Sequence, residues 1–354
     1  MPCSADIVVV GAGIVGASIT HHLARRGVSV TVLDQAIQPG AGATRFSGGL
    51  VRAYDPDAGT QELALASLAV YRDAAQWNSG YAPLCTVGAV TVAHPVEEST
   101  LRDAARVINA ALNTSAQVVT NCDAALGVGL AGGIALVEPE AGWVSATSVT
   151  SDWLRQAKTN GAVTRYGIRV QRIDNRGGRP VVVTPAGEIH AGAVVVSAGP
   201  WAARPIAGLR PQHRVRARSI QVSIVHRPSD SAHHATFIDQ RTGVYGKPID
   251  AHHSLIGMPH LVWDAPFDRT PDQAHVRATA RAVSVHLPWA WTAKLQNVIR
   301  AADGYSEHSE FLTGTNVPHV WVVRGWNGGG VRTAPEAGRR IAELCLTRTF
   351  ETSA

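Results

Sequence analysis

The chain has 354 residues, 45% hydrophobic and 17% charged, with a formal net charge of +5 at pH 7. That composition excludes a disordered or fibrous chain and leaves room for two domains or one elaborated domain. Arginine supplies most of the positive charge, since Lys158, Lys247 and Lys294 are the only lysines. The densest cluster (Arg210, Arg214, Arg216 and Arg218) mostly alternates, as one solvated strand face would, and lacks interleaved aromatics. A nucleic-acid partner is therefore not expected. Cys3, Cys85, Cys122 and Cys345 are scattered, which argues against a zinc site or a disulfide framework. No segment approaches the roughly 20 apolar residues of a membrane span, and no basic region opens the chain, so a cytoplasmic protein with no membrane partner is expected.

Residues 6–10 are a short β-branched run suited to a strand buried on both faces. Gly11-Ala12-Gly13-Ile14-Val15-Gly16 follows and leads into a helix expected over 17–26, ended by Gly27. Gly11 permits the tight turn, Gly13 lets backbone approach a pyrophosphate, and Gly16 lets helix pack on strand. The unpaired N–H groups of that helix face the phosphates. Residues 28–33 are a second strand, and Asp34 stands where a carboxylate accepts ribose hydroxyls. Strand, glycines, helix, strand and acid occur in the order of a dinucleotide site.

Residues 38–45 read as a loop and 46–52 as another small-residue stretch. Helices are expected over 61–76 and 100–112, with a strand over 89–93 between them. Residues 143–160 read as loop then helix, closed by Gly161, and 163–173 as a strand pair crossing near Gly167. A hairpin spans 181–184 and 188–190, and residues 193–201 are a buried strand ending in a glycine turn. Strands of a second sheet are expected over 219–225 and 254–258, with Tyr245-Gly246-Lys247-Pro248 in the turn region between them. A helix is expected over 271–285 and a strand over 319–323. Residues 325–330 form a glycine loop that lets backbone approach a ligand. Thr333-Ala334-Pro335-Glu336 combines a capping box with a first-turn proline, opening a helix to about residue 345 whose positive end suits anionic chemistry.

Together these blocks resemble the FAD-dependent amine and amino-acid oxidase family that includes glycine oxidase, monomeric sarcosine oxidase and D-amino acid oxidase. Residues 7–34, 42–52, 194–201 and 325–338 carry the resemblance. It implies an α/β fold: a Rossmann-like FAD-binding domain from residues 1–80, 140–212 and 300–354, with an inserted antiparallel-sheet (α+β) substrate domain from 81–139 and 213–299. It implies Gly11, Gly13, Ile14, Val15 and Gly16 at the pyrophosphate, and Asp34 and Gln35 at the adenosine ribose. Ala43, Thr44, Arg45, Gly49 and Leu50 would run past the pyrophosphate and ring system, and Val170 would touch the adenine. Ala198 and Gly199 would close over the cofactor, with Gly328, Gly329, Gly330, Val331 and Arg332 along its pyrimidine edge. Family members with covalent flavin carry a cysteine shortly before the C-terminal strand. Residues 299–303 have none, so noncovalent FAD is expected.

The implied reaction is oxidation of the C–N bond of a primary or secondary amine, an amino acid, to an imine by hydride transfer to flavin N5. Oxygen or another acceptor would take the electrons. Arg332 aligns with the residue that grips the substrate carboxylate in sarcosine-oxidase-like members, and Arg52 falls where those members also keep basic residues. Tyr245 offers a hydroxyl to orient substrate, and Lys247 is the fourth catalytic candidate. Each has a plainer reading: Arg332 as a surface arginine, Arg52 as a partner of Asp55 or Asp57, Lys247 as a solvated strand end, Tyr245 as a buried strand tyrosine. The lysine that activates oxygen in sarcosine-oxidase-like members has no counterpart in residues 254–257. The N–H groups of Gly328 to Gly330 would stabilise charge on reduced flavin. His260 and His308 lie in segments that approach the cavity. The adjacent pairs His21-His22, His233-His234 and His252-His253 do not suit one ion, since strand neighbours face opposite ways, and no metal is expected. Two other readings use the same residues: an NAD(P)-dependent dehydrogenase, and a flavin-carrying subunit of a larger electron-transfer complex.

Overall fold

The computed structural model describes residues 3–120, 127–204, 206–228, 233–264 and 270–350; Cys122 lies outside them. In chain order the elements begin β1 (Cys3–Val10), α1 (Ile14–Ala24), β2 (Val30–Asp34), β3 (Leu50–Val51), α2 (Ala58–Arg72), β4 (Leu84–Thr86), β5 (Ala89–Ala93) and α3 (Glu98–Leu112). Next come β6 (Gln117–Val119), β7 (Ile134–Glu138), β8 (Gly142–Val144), α4 (Ala146–Thr159), β9 (Val163–Tyr166), β10 (Arg172–Arg176), β11 (Arg179–Thr184) and β12 (Gly187–Val196). The rest are β13 (Arg216–His226), β14 (Thr236–Asp239), β15 (Tyr245–Pro248), β16 (His253–Gly257), α5 (Gln273–Val283), β17 (Lys294–Tyr305), β18 (Leu312–Gly314), β19 (Val320–Val323) and α6 (Gly330–Phe350).

β1 is the centre of the first sheet. It pairs in parallel with β12 on one side and β2 on the other, while β9 and β19 extend the parallel run. Strand alternation splits its side chains between two cores. Ile7 and Val9 join Ile14, Ile19 and Leu23 of α1, and Val8 and Val10 join Leu33, Val194 and Val322. This double burial is what the unbroken β-branched run required. The expected hairpin strand over 188–190 and the buried strand from 193 are one continuous strand, β12. Trp143, expected in a loop, lies in β8, paired with Leu50 of β3.

The second sheet runs β17-β13-β16-β15-β14-β5-β7-β6. One face packs Val90, Val92, Phe237 and Ile256 against Val283 and Leu287. Tyr245, Lys247, Leu255 and Gly257 share the opposite face, since Tyr245 pairs with Gly257 and Lys247 with Leu255. A Cβ on Gly48 would lie 3.9 Å from Leu255 Cδ2, so this face looks toward the 48–50 loop that connects to the first sheet.

Two assignments need correction here. Residues 245–248 are a strand hydrogen-bonded on both edges, not a turn. Gly246 is there for packing, because its Cβ would fall 2.6 Å from the Phe237 ring. The last helix begins at Gly330, three residues before the supposed cap, and Pro335 lies inside it. A proline cannot donate to the carbonyl four residues back; that carbonyl, of Val331, accepts the Tyr71 hydroxyl instead at 2.7 Å. Glu336 pairs with Arg339 and Arg340 rather than capping. The arginine face is only partly solvated. Arg216 pairs with Asp264, whereas the half-buried Arg218 lies 3.9 Å over the Tyr305 ring.

Candidate functional site

Three glycines of the first turn stand there for different reasons. Gly11 has φ +111°, and a Cβ on it would lie 2.3 Å from Ser197 O. A Cβ on Gly16 would lie 2.1 Å from Gly11 O. Both are demanded by the protein's own backbone. Gly13 is not: its Cβ would meet only Thr44 Oγ1, at 3.4 Å. The empty side of that residue is a cradle suited to a pyrophosphate. The Ile14 N–H, expected to face phosphate, instead donates to Thr44 Oγ1 at 3.0 Å. The amides of Gly13, Val15 and Gly16 have no partner among the described residues and remain as anion donors.

Around this turn, Asp34 accepts from the N–H groups of Ala12 (2.7 Å, Oδ2) and Ala36 (2.8 Å, Oδ1). Each oxygen keeps a lone pair, as ribose hydroxyls need. Thr44 is buried; Gln35 and Arg45 are exposed. Trp201 lies against Gly42, where a Cβ would come 2.7 Å from the indole. Gly49 is structural, since its Cβ would sit 2.1 Å from Val144 O. Val170 is buried in one core cluster with Leu33 and Ala198, and Gly199 (φ +53°) has nothing within 4 Å of a Cβ. These features fit a dinucleotide.

The C-terminal glycine loop differs from expectation. Gly328 N–H donates to Asp303 Oδ2 at 3.1 Å and Gly329 N–H to Trp326 O at 2.8 Å. Only the amides of Gly330, Val331 and Arg332, in the first turn of α6, lack partners among the described residues. The open positive end therefore begins at Gly330 and runs into the helix, leaving Gly328 and Gly329 outside it. Asp303, a half-buried carboxylate pushed up by desolvation, holds the loop and was not singled out from sequence.

Of the four catalytic candidates, Arg332 is engaged. Its guanidinium donates to Tyr54 O (3.1 Å) and pairs with Asp55 at 2.5 Å. It is 7% exposed, so the surface reading fails. Asp55, offered as a partner for Arg52, belongs to Arg332, and Asp57 caps α2 by accepting from Thr60. That leaves Arg52 with no hydrogen bond among the described residues and its Nε enclosed without a partner. Burial and then the charge of Arg332 push it down to about 9, so it stays cationic at neutral pH. Glu138, unforeseen, fixes the segment by accepting from Ala53 N–H (2.6 Å) and Tyr54 N–H (3.1 Å).

Lys247 is 7% exposed, not solvated. Its Nζ sits 3.8 Å over the Trp143 ring, and burial lowers it to about 8. Tyr245 lies on the same strand face across Gly257, where a Cβ would come 2.6 Å from its hydroxyl. His260 is a core residue bonded to Ser219 at 2.9 Å. His308 stacks on His213 at 4.8 Å. It lines a cavity of about 330 Å³ with Asp55, Arg324, Trp326 and Arg332, and also an adjoining one of about 990 Å³.

Residues 6–344 match the family described as FAD dependent oxidoreductase (DAO). The chain belongs to this family and uses FAD, which removes the NAD(P) reading. It is 25% identical over its whole length to 4-methylaminobutanoate oxidase (formaldehyde-forming) of Paenarthrobacter nicotinovorans, of which it spans 45%. It is 23% identical to N-methyl-L-tryptophan oxidase of Salmonella agona, covering 97% of this chain and 95% of that one. L-proline dehydrogenase of P. horikoshii shares the fold, with a TM-score of 0.84 at 20% identity over 97% of this chain and 94% of that chain. No helix among the described residues is long and apolar enough to cross a membrane.

Proposed function

We propose that the chain oxidises the C–N bond of an amine that carries a carboxylate, an amino acid or N-alkyl amino acid. The observation that carries this reading is Arg52: a half-buried guanidinium without a hydrogen-bond partner among the described residues, beside a neutralised Arg332–Asp55 pair. FAD held noncovalently by the glycine turn, Asp34 and the start of α6 would supply the hydride acceptor. Arg52 holds the carboxylate and thereby fixes the α C–H, as a planar fork can do bidentately. Tyr245 orients the amine from the sheet face. The open amides at the start of α6 and its positive end supply fixed donors for developing negative charge. The amine enters as the free base, so no side-chain base is required. The FAD-binding segments 1–80, 140–212 and 300–354 would form the floor, and 81–139 with 213–299 the ceiling.

The test is anaerobic flavin bleaching by a panel of amino acids, N-methyl amino acids and cyclic imino acids. Arg52→Ala should weaken the apparent affinity of carboxylate substrates by about 10–100-fold, the loss of a charged hydrogen bond, whereas decarboxylated amines should be indifferent to it. If no amine bleaches the flavin of the isolated chain, the subunit reading replaces this one.

A further inference from the structure

Among the described residues, most buried charges are partnered. Asp239 pairs with Arg241, Arg332 with Asp55 and Glu336 with Arg339. Arg227 donates to the carbonyls of Asp250 and Ala251, and Glu138 accepts two backbone N–H groups. Two cations break the pattern. Arg52 has no hydrogen bond, and Lys247, more deeply buried, has neither hydrogen bond nor ion pair among the described residues. An ammonium withdrawn from water without a counter-charge is unfavourable, and the face of Trp143 offsets only part of that.

Both cations flank one cross-strand pair. Arg52 follows Leu50 by two residues, Leu50 is opposite Trp143, and Trp143 carries Lys247 on its ring. Neither makes an ion pair among the described residues, and one carboxylate can neutralise only one of the two charges.

We propose that the substrate is an amino diacid, with one carboxylate on Arg52 and a second acidic group on Lys247, the chain between them lying along Trp143. This rests on the reading of Arg52 given above and narrows it. The neutral neighbours of Lys247, Leu255 and Trp143, leave the ammonium as the charge that attracts an anion at that end among the described residues, so charge there and not size sets the preference.

The experiment uses the FAD-loaded protein. Equilibrium binding of non-oxidisable acids (butanedioate and pentanedioate against propanoate) is read from the flavin absorption spectrum. Anaerobic bleaching by N-methylaspartate and N-methylglutamate is read against N-methylglycine. The diacids are expected to bind better, and Lys247→Met to lower the diacid-to-monoacid affinity ratio by about 10–100-fold, with Lys247→Arg restoring most of it. The proposal is overturned if Lys247→Met weakens both acids equally, or leaves the ratio unchanged, or acts instead on the FAD dissociation constant, which would make Lys247 a partner of the cofactor. Absence of bleaching by every amine sinks the parent reading alone, because the acid-binding ratio remains measurable.

Discussion

A Cβ is a probe small enough to separate a glycine kept for the fold from one kept for a ligand. Gly16→Ala would drive a methyl to 2.1 Å from Gly11 O and should prevent folding. Gly13→Ala meets nothing closer than 3.4 Å, so far-UV circular dichroism and the apoprotein melting temperature should stay near wild type. FAD affinity should fall at least about 100-fold, because the methyl fills the space backbone needs to approach the pyrophosphate. Loss of fold in Gly13→Ala, or retained FAD, would remove the cradle argument. Arg52 gives a second prediction at this scale. A guanidinium keeps its charge throughout the working range even where burial lowers it, so propanoate affinity, read from the flavin spectrum, should stay flat from about pH 6 to 9. A decline through that range would mean the anion sits on another group. The glycine motif was legible because its strand, turn, helix, second strand and acid follow one another within residues 6–34. The Arg332–Asp55 pair was not, because Asp55 reaches Arg332 from 277 residues away, and nothing local marks that contact.

The elements that sequence missed are those whose residues obey tertiary demands over local ones. β15 reads as a turn because it contains Gly246 and Pro248, yet Gly246 admits the Phe237 ring and the strand is paired on both edges. β17 shows no clean alternation, and only its pairing with β13 from Arg216↔Tyr305 onward makes it a strand. α6 reads as starting at Thr333 because Thr-x-x-Glu and a proline imitate a cap. The helix runs through that proline because Tyr71 of α2 satisfies the carbonyl Pro335 cannot. Tyr71→Phe should therefore cost about 1–2 kcal/mol in urea denaturation by leaving Val331 O unsatisfied. In a Pro335→Ala background, where the alanine N–H can reach that carbonyl, the same change should cost clearly less. Equal costs in the two backgrounds would show that the hydroxyl does not stand in for the missing amide.

At the scale of the whole molecule, both sheets were foreseeable in kind, one with a parallel, doubly covered centre and antiparallel margins, one largely antiparallel. What joins and stabilises them was not. Buried histidines are part of that, and they make the fold sensitive to acid. His21 of α1 is enclosed against Trp153, with Nδ1 lacking a partner. Burial lowers it from 6.5 to about 3. His22 is lowered to about 4 by burial and by Arg26, and His234, bonded to Ser254 at 2.9 Å under the second sheet, also to about 4 by burial. Above pH 6.5 these groups are neutral in both folded and unfolded chains. Below it the unfolded chain takes up protons that the native state refuses, so stability falls as pH drops from 6.5 toward 4, by up to about 1.4 kcal/mol per pH unit for each group. Asp303 and Glu138, pushed upward by burial, act in the opposite sense, so single-site comparison is needed. His21→Phe keeps a ring beside Trp153 and removes the titration. Urea midpoints converted to free energies at pH 7.5, 6.0 and 5.0 should then fall less steeply than in wild type, by close to one proton's worth of slope. An identical slope would mean that His21 protonates in the native state after all, and that the contact between α1 and α4 opens readily enough to admit water.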